Sequence, residues 1–182
     1  MQQLPSQSPD LRSPSCRIQD AALLYFDIET TGLHPDKGAE VTEVAVLDSG
    51  GLRFGWERAE DESKFSELLP ALFDHLAAGV VVGHNLSFDF QFVAYEAGRR
   101  NLTGPDVRYV DTCAVARRVD SDAPTHRLED LAKRYDLPVR GDFHTAECDA
   151  AVACELIWHF VKEGEVETLG DAGLSRIQWN IA

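Results

Sequence analysis

The sequence holds no apolar run near the roughly 20 residues needed to cross a bilayer. Its N-terminus also lacks the charged stretch followed by an apolar one that directs secretion. A soluble, cytoplasmic protein with no membrane partner is the expectation. Cysteine is scarce: Cys16, Cys113, Cys148 and Cys154 include no CxxC pair. That argues against the usual thiolate zinc patterns and leaves reduced, buried thiols. Positive charge is scarce too. Lys and Arg number 17 against 31 Asp and Glu, a net charge of −14, the opposite of a domain that grips nucleic acid by bulk electrostatics. Two features soften that objection. Carboxylates loaded with divalent cations reverse their local sign. The cations also lean toward the second half, from Arg99, Arg100 and Arg108 through Arg117, Arg118, Arg127, Lys133 and Arg134 to Arg140.

A chain of 182 residues suits one domain with one core. Residues 1–20 are rich in Pro, Ser and Gln, too poor in large apolar groups to offset the entropy of ordering, and are expected to form a disordered tail. Leu23 to Glu29 carries a strong strand signal closed by Thr30-Thr31-Gly32. Val41 to Asp48 and Leu52 to Glu57 predict two more strands, joined by a hairpin turn at Ser49-Gly50-Gly51. From Ser66 the period becomes helical, with Leu69, Leu72, Phe73 and Leu76 on one face and Pro70 best suited to a first turn. Val80-Val81-Val82 has the all-apolar character of a strand covered on both faces. Further helices are expected over Phe88 to Gly98, over Arg127 to Tyr135 and over Ala146 to Val161, and a short strand at Tyr109 to Asp111 is followed by one more helix through Val119. Antiparallel strands followed by strand–helix alternation predict an α/β or α+β domain, its mixed sheet covered by helices on both faces. Residues 21–165 should form that domain and 166–182 a linker or tail. For Leu174 to Ala182, folding back and serving as a partner peptide both stay open.

The chemistry concentrates in three places. In a strand, i and i+2 share a face, so Asp27 and Glu29 project together while Leu24, Phe26 and Ile28 fill the other side. Two carboxylates aimed together from so apolar a strand repel each other unless a cation joins them, and a hard divalent metal is the natural companion. Taken alone, a wet acidic sheet edge explains them equally well. Asp89 follows the mouth of the Val80–Val82 strand at a helix start, flanked by Phe88 and Phe90, where α/β folds place ligand sites. Asp149 lies among Ala146, Ala150, Val152 and Ala153 on a face suited to close packing, where a carboxylate needs a partner. His144 precedes that helix on a loop.

Phe26-Asp27-Ile28-Glu29-Thr30-Thr31-Gly32-Leu33, then His84-Asn85-Leu86-Ser87-Phe88-Asp89, then His144-x-Ala-x-x-Asp149 resemble the three motifs of the DEDDh exonucleases. The likeness is to the proofreading (epsilon) subunit of bacterial DNA polymerase III and its stand-alone relatives. It spans about residues 21 to 162. The DEDDy sister family would put Tyr four residues before the last Asp; that position is Thr145, and His144 lies five before.

The resemblance implies a ribonuclease H-like fold with a five-stranded mixed sheet and two ions, Mg²⁺ or Mn²⁺, held by Asp27, Glu29, Asp89 and Asp149. His144 would take a proton from the attacking water, a task suited to the side chain that titrates nearest neutrality. The Thr30-Thr31-Gly32-Leu33 turn would meet the terminal nucleotide, with His84, Asn85 and Phe88 lining the same pocket. For Leu33 and Phe88, plain core packing competes with that role. The implied activity is removal of nucleoside 5′-monophosphates from a free 3′ end in proofreading or repair, on DNA in preference to RNA, with a DNA polymerase subunit as a second candidate partner. An exoribonuclease or oligoribonuclease of the same fold is the nearer alternative. A module that binds polymerase or nucleic acid without catalysis is the remoter one. After Lys162 only 20 residues follow and they hold no clear clamp motif, which favours a stand-alone nuclease.

Overall fold

The computed structural model describes residues 10–58 and 64–179. Six strands run β1 Leu23–Thr30, β2 Val41–Asp48, β3 Gly51–Glu57, β4 Val80–Gly83, β5 Arg108–Asp111 and β6 Ser175–Arg176, in the sheet order β3-β2-β1-β4-β5-β6. β1, β4 and β5 pair in parallel, while β2, β3 and β6 join antiparallel to their neighbours. The helices are α1 Phe65–Ala77, α2 Leu86–Arg99, α3 Thr112–Val119, α4 Leu128–Arg134 and α5 Ala146–Lys162.

Alternation along β1 divides the core in two. Leu24, Phe26 and Ile28, with Val44, Val46 and Val81, pack against α1 and α2. Leu23 and Tyr25, with Ala45, Leu47, Val80 and Val82, pack against α3, α4 and α5. Asp27 and Glu29 continue the α5-side row, so that helix meets their carboxylates. Val80, Val81 and Val82 are all fully buried, as a strand covered on both faces requires.

Three expectations need correction. The sheet has six strands rather than five, because Ser175–Arg176 adds an edge to β5; two exposed residues carry no alternation for a sequence pattern to register. Pro70 is not in a first turn but sixth in α1. Having no N–H, it leaves the Ser66 carbonyl without its helical donor, and Arg100, the C-cap of α2, donates to that oxygen instead at 2.8 Å. The chain ends also pack more than a tail and a linker would. The Ile18 amide donates to Glu167 and the Leu169 amide to Cys16, joining the two ends in a short antiparallel contact. Ile18, Val166, Leu169 and Ala172 are buried in the α5-side core. Each end supplies too few apolar residues to order alone, but together they close one side of that core. Residues 1–9 of the expected tail and residues 180–182 lie outside the described residues.

Candidate active site

β1 outruns its parallel neighbour. Its pairing with β4 covers only Leu23 to Tyr25, while β1 itself continues to Thr30. The chain leaves β4 at Gly83, where any side chain would collide with the Phe26 carbonyl and Leu86, and enters α2 at once. This sharp exit brings Asp89, in the first turn of α2, to the open flank of β1, where its Oδ1 accepts the Ile28 N–H at 3.0 Å. An acid from one helical layer thus lies beside two acids facing the other. The turn is steadied by Asn85, which takes the left-handed conformation at φ 65° that asparagine tolerates. Its N–H donates to Asp111 Oδ1 at 2.8 Å, and the same oxygen caps α3 through the Cys113 N–H.

The opposite wall is α5. Glu29, His144 and Asp149 each present a ligand atom within 4.8 Å of the other two. His144 is held in a left-handed conformation at φ 69°, unusual for a residue other than glycine, and its N–H points at Asp149 Oδ1 at 3.4 Å. The ring itself stays exposed on the rim.

The electrostatics follow from this crowding. Burial first, then the charges of Asp89, Asp149, Glu29 and Glu43, push the Asp27 carboxyl well above the carboxylate range. Asp89 is pushed up to about 8, by burial and then by Asp111 and Glu29, against the opposing hydrogen bonds from its own amide and that of Ile28. Burial also raises Glu29, aided by Asp149 and Glu43, and raises Asp149 against the pull of the His144 amide and ring. Among the described residues no Lys or Arg forms an ion pair with any of the four; Arg99, Lys133 and Arg134 pair instead with Glu96, Glu129 and Asp120. Carboxylates so placed call for another cation. A donor set made of carboxylate oxygens fits a hard divalent ion such as Mg²⁺ or Mn²⁺.

The expected flanking residues divide. Leu33 is 70% exposed, so core packing does not account for it. Thr30 Oγ1 donates to the Gly32 carbonyl at 2.8 Å, and Thr31 Oγ1 accepts the Glu40 N–H at 2.9 Å, shaping the turn. Phe88 is half-buried against Phe92, their ring centroids 5.1 Å apart. His84 faces inward. Its Nε2–H donates to the His126 carbonyl at 2.8 Å, and its Nδ1 lies 2.9 Å from Thr112 Oγ1, so its ring nitrogens are committed within the protein. Burial lowers its pKa, which fits a neutral ring that pins the turn from below. Two acids that sequence reasoning passed over belong to the surroundings of the site: Asp111, which holds Asn85, and Glu43, the cross-strand neighbour of Glu29. The neighbour of Glu29 is set by strand register, which a single strand's pattern does not reveal.

The chain belongs to the exonuclease family: the RNase T-type exonuclease model matches residues 56–157, a stretch that includes Asp89, His144 and Asp149 and starts after Asp27 and Glu29. The chain is 29% identical over 157 residues to the 3′-5′ exonuclease DinG of Bacillus subtilis, covering 71% of this chain and 16% of that protein. It is 27% identical over 169 residues to the PolC-type DNA polymerase III of Lacticaseibacillus paracasei, covering 80% of this chain and 12% of that one. It therefore spans less than a fifth of either relative. Among solved structures, exonuclease X in complex with 5′-overhanging duplex DNA superposes with a TM-score of 0.60 at 18% identity, over 83% of this chain and 98% of that one. This last likeness concerns the fold, which is that of the ribonuclease H-like exonucleases.

Proposed function

We propose that this chain is a metal-dependent 3′-5′ exonuclease that removes nucleoside 5′-monophosphates from single-stranded or mismatched DNA ends, in proofreading or repair. The observation that carries the reading is the convergence of Asp27 and Glu29 from β1, Asp89 from α2 and Asp149 from α5 beside the exposed ring of His144. Asp27, Glu29, Asp89 and Asp149 would hold a pair of divalent ions through their carboxylate oxygens. When bound, such a pair supplies charge stabilisation to the attacking and leaving oxygens of an in-line phosphoryl displacement. An imidazole nitrogen of His144, on the rim beside Glu29 and Asp149, accepts the proton of the attacking water. The water oxygen bonds to phosphorus, the bond from phosphorus to the 3′ oxygen breaks, and solvent returns a proton to that oxygen. Leu33 and Phe88 flank the terminal base, and the Thr30–Gly32 turn contacts the terminal sugar.

The DNA preference draws support from the name of one relative, the PolC-type DNA polymerase III of Lacticaseibacillus paracasei. The test uses 5′-labelled single-stranded DNA and a matched RNA with Mg²⁺, Mn²⁺ or EDTA, resolved as ladders over time. Stepwise shortening from the 3′ end, faster on DNA and abolished by EDTA, is expected. Faster RNA shortening would transfer the proposal to an exoribonuclease; no shortening with either metal would overturn it.

A further inference from the structure

Glu43 occupies a position where sheet energetics disfavour a carboxylate. Its neighbours across β2 are Glu29 on β1 and Glu57 on β3, three acids in one row. Like charges directly opposite one another destabilise a sheet. Among the described ion pairs none involves Glu43. Its Oε2 instead accepts the N–H of Ala146 at 3.1 Å, from a residue 103 positions away. Ala146 is the first residue of α5, whose N-cap residue Thr145 supplies no side-chain cap and turns its hydroxyl to the Asp142 carbonyl at 3.0 Å. A helix start leaves such N–H groups without internal partners and favours negative charge near them.

We infer that Glu43 is a positioning residue: it caps α5 from the neighbouring strand and thereby fixes His144 and Asp149, which flank the capped amide, against Glu29. The inference rests on the exonuclease reading of the site. In this role Glu43 touches no reacting atom. Its effect depends on an acceptor oxygen at the correct reach, not on charge, and the two can be separated. Glutamine keeps the reach and removes the charge; aspartate keeps the charge and shortens the reach.

Glu43→Gln and Glu43→Asp are compared with the unaltered chain by two readouts. The first is amide hydrogen exchange over the start of α5 in EDTA; the second is kcat and KM on 5′-labelled single-stranded DNA across a Mn²⁺ titration. Glu43→Asp is expected to speed exchange at Ala146 and the following amides. It should also lower kcat by roughly 10–100-fold, the usual effect of losing a group that orients metal ligands, with KM for the strand unchanged. Glu43→Gln should stay near the unaltered protein in both. An inactive Glu43→Gln, or a Glu43→Asp with unchanged exchange, would overturn the inference. If the unaltered chain trims nothing, the exonuclease reading fails, and the exchange comparison alone decides whether Glu43 caps α5.

Discussion

The Asp89 carboxyl accepts the backbone N–H of Ile28, the residue between Asp27 and Glu29, at 3.0 Å. That amide is open to Asp89 because β4 stops pairing with β1 at Tyr25. A single hydrogen bond therefore sets the third acid against the first two and ties α2 to the sheet. A bond of this kind contributes roughly 0.5–1.5 kcal/mol, while the carboxyl is held protonated to about 8 by its surroundings.

The metal-free protein should lose stability as pH rises. Asp89 titrates at about 8 when folded and near 3.9 in an unfolded chain. Between those values the native state holds a proton that the unfolded state has released, so the stabilisation is complete below the lower value and disappears through the upper. Asp27 acts with the same sign. In EDTA, Tm is expected to fall from about pH 6 to about pH 9, to fall less with Mn²⁺, and to flatten in Asp89→Asn. A Tm that held level or rose with pH in EDTA would contradict the buried carboxyl.

His144→Ala should separate catalysis from metal binding. The exposed ring is not part of the core, and loss of a general base costs roughly 10²–10⁴-fold in rate. The Mn²⁺-induced rise in Tm, which depends on the four acids, should survive. By contrast, Asp27→Asn should abolish both. Full activity in either variant would refute the assigned roles.

Pro70 and Arg100 should be coupled. Pro70→Ala restores an N–H to the Ser66 carbonyl, and stabilisation of roughly 1–3 kcal/mol is expected, since proline is costly in a helix interior. Arg100→Ala should destabilise the natural protein by about 1 kcal/mol and the Pro70→Ala variant by less. Urea unfolding of the four proteins gives the coupling, and strict additivity would exclude it.

Trp179 should anchor the C-terminal segment. Its ring packs edge-on to Phe73 and Phe90, with centroids 5.2 and 6.2 Å away, and its indole N–H donates to the Pro105 carbonyl. A Cβ on Gly104 would overlap the indole. Trp179→Ala is expected to cost about 2–3 kcal/mol, Gly104→Ala a comparable amount, and the double variant less than the sum. Equal melting of Gly104→Ala and the natural protein would show that the indole is not seated there.

Much of this arrangement is legible in the chain because it is local. Alternation alone puts Asp27 and Glu29 on one face of β1, and the apolar run Val80–Val82 announces a strand covered on both sides. The spacing of His144 and Asp149 is read within one segment, and the structure brings both beside Glu29. His84 illustrates the limit. Its motif suggests a pocket residue, but the partners that turn it inward, Thr112 and His126, lie 28 and 42 positions away. Glu43 is another case, since both its row of acids and its bond to Ala146 depend on which residues become neighbours across strands and layers.

The residue types of the site, the strand and helix carrying most of them, and the two-faced core are written in the chain's order, because periodicity and motif spacing are properties of contiguous residues. Folding in three dimensions set the overrun of β1 past β4 that lets Asp89 reach Ile28. It also decided that Glu43 caps α5 and that the two chain ends close the core together. These contacts join residues distant in sequence, and their energies arise only once burial removes water and brings the partners within hydrogen-bonding reach.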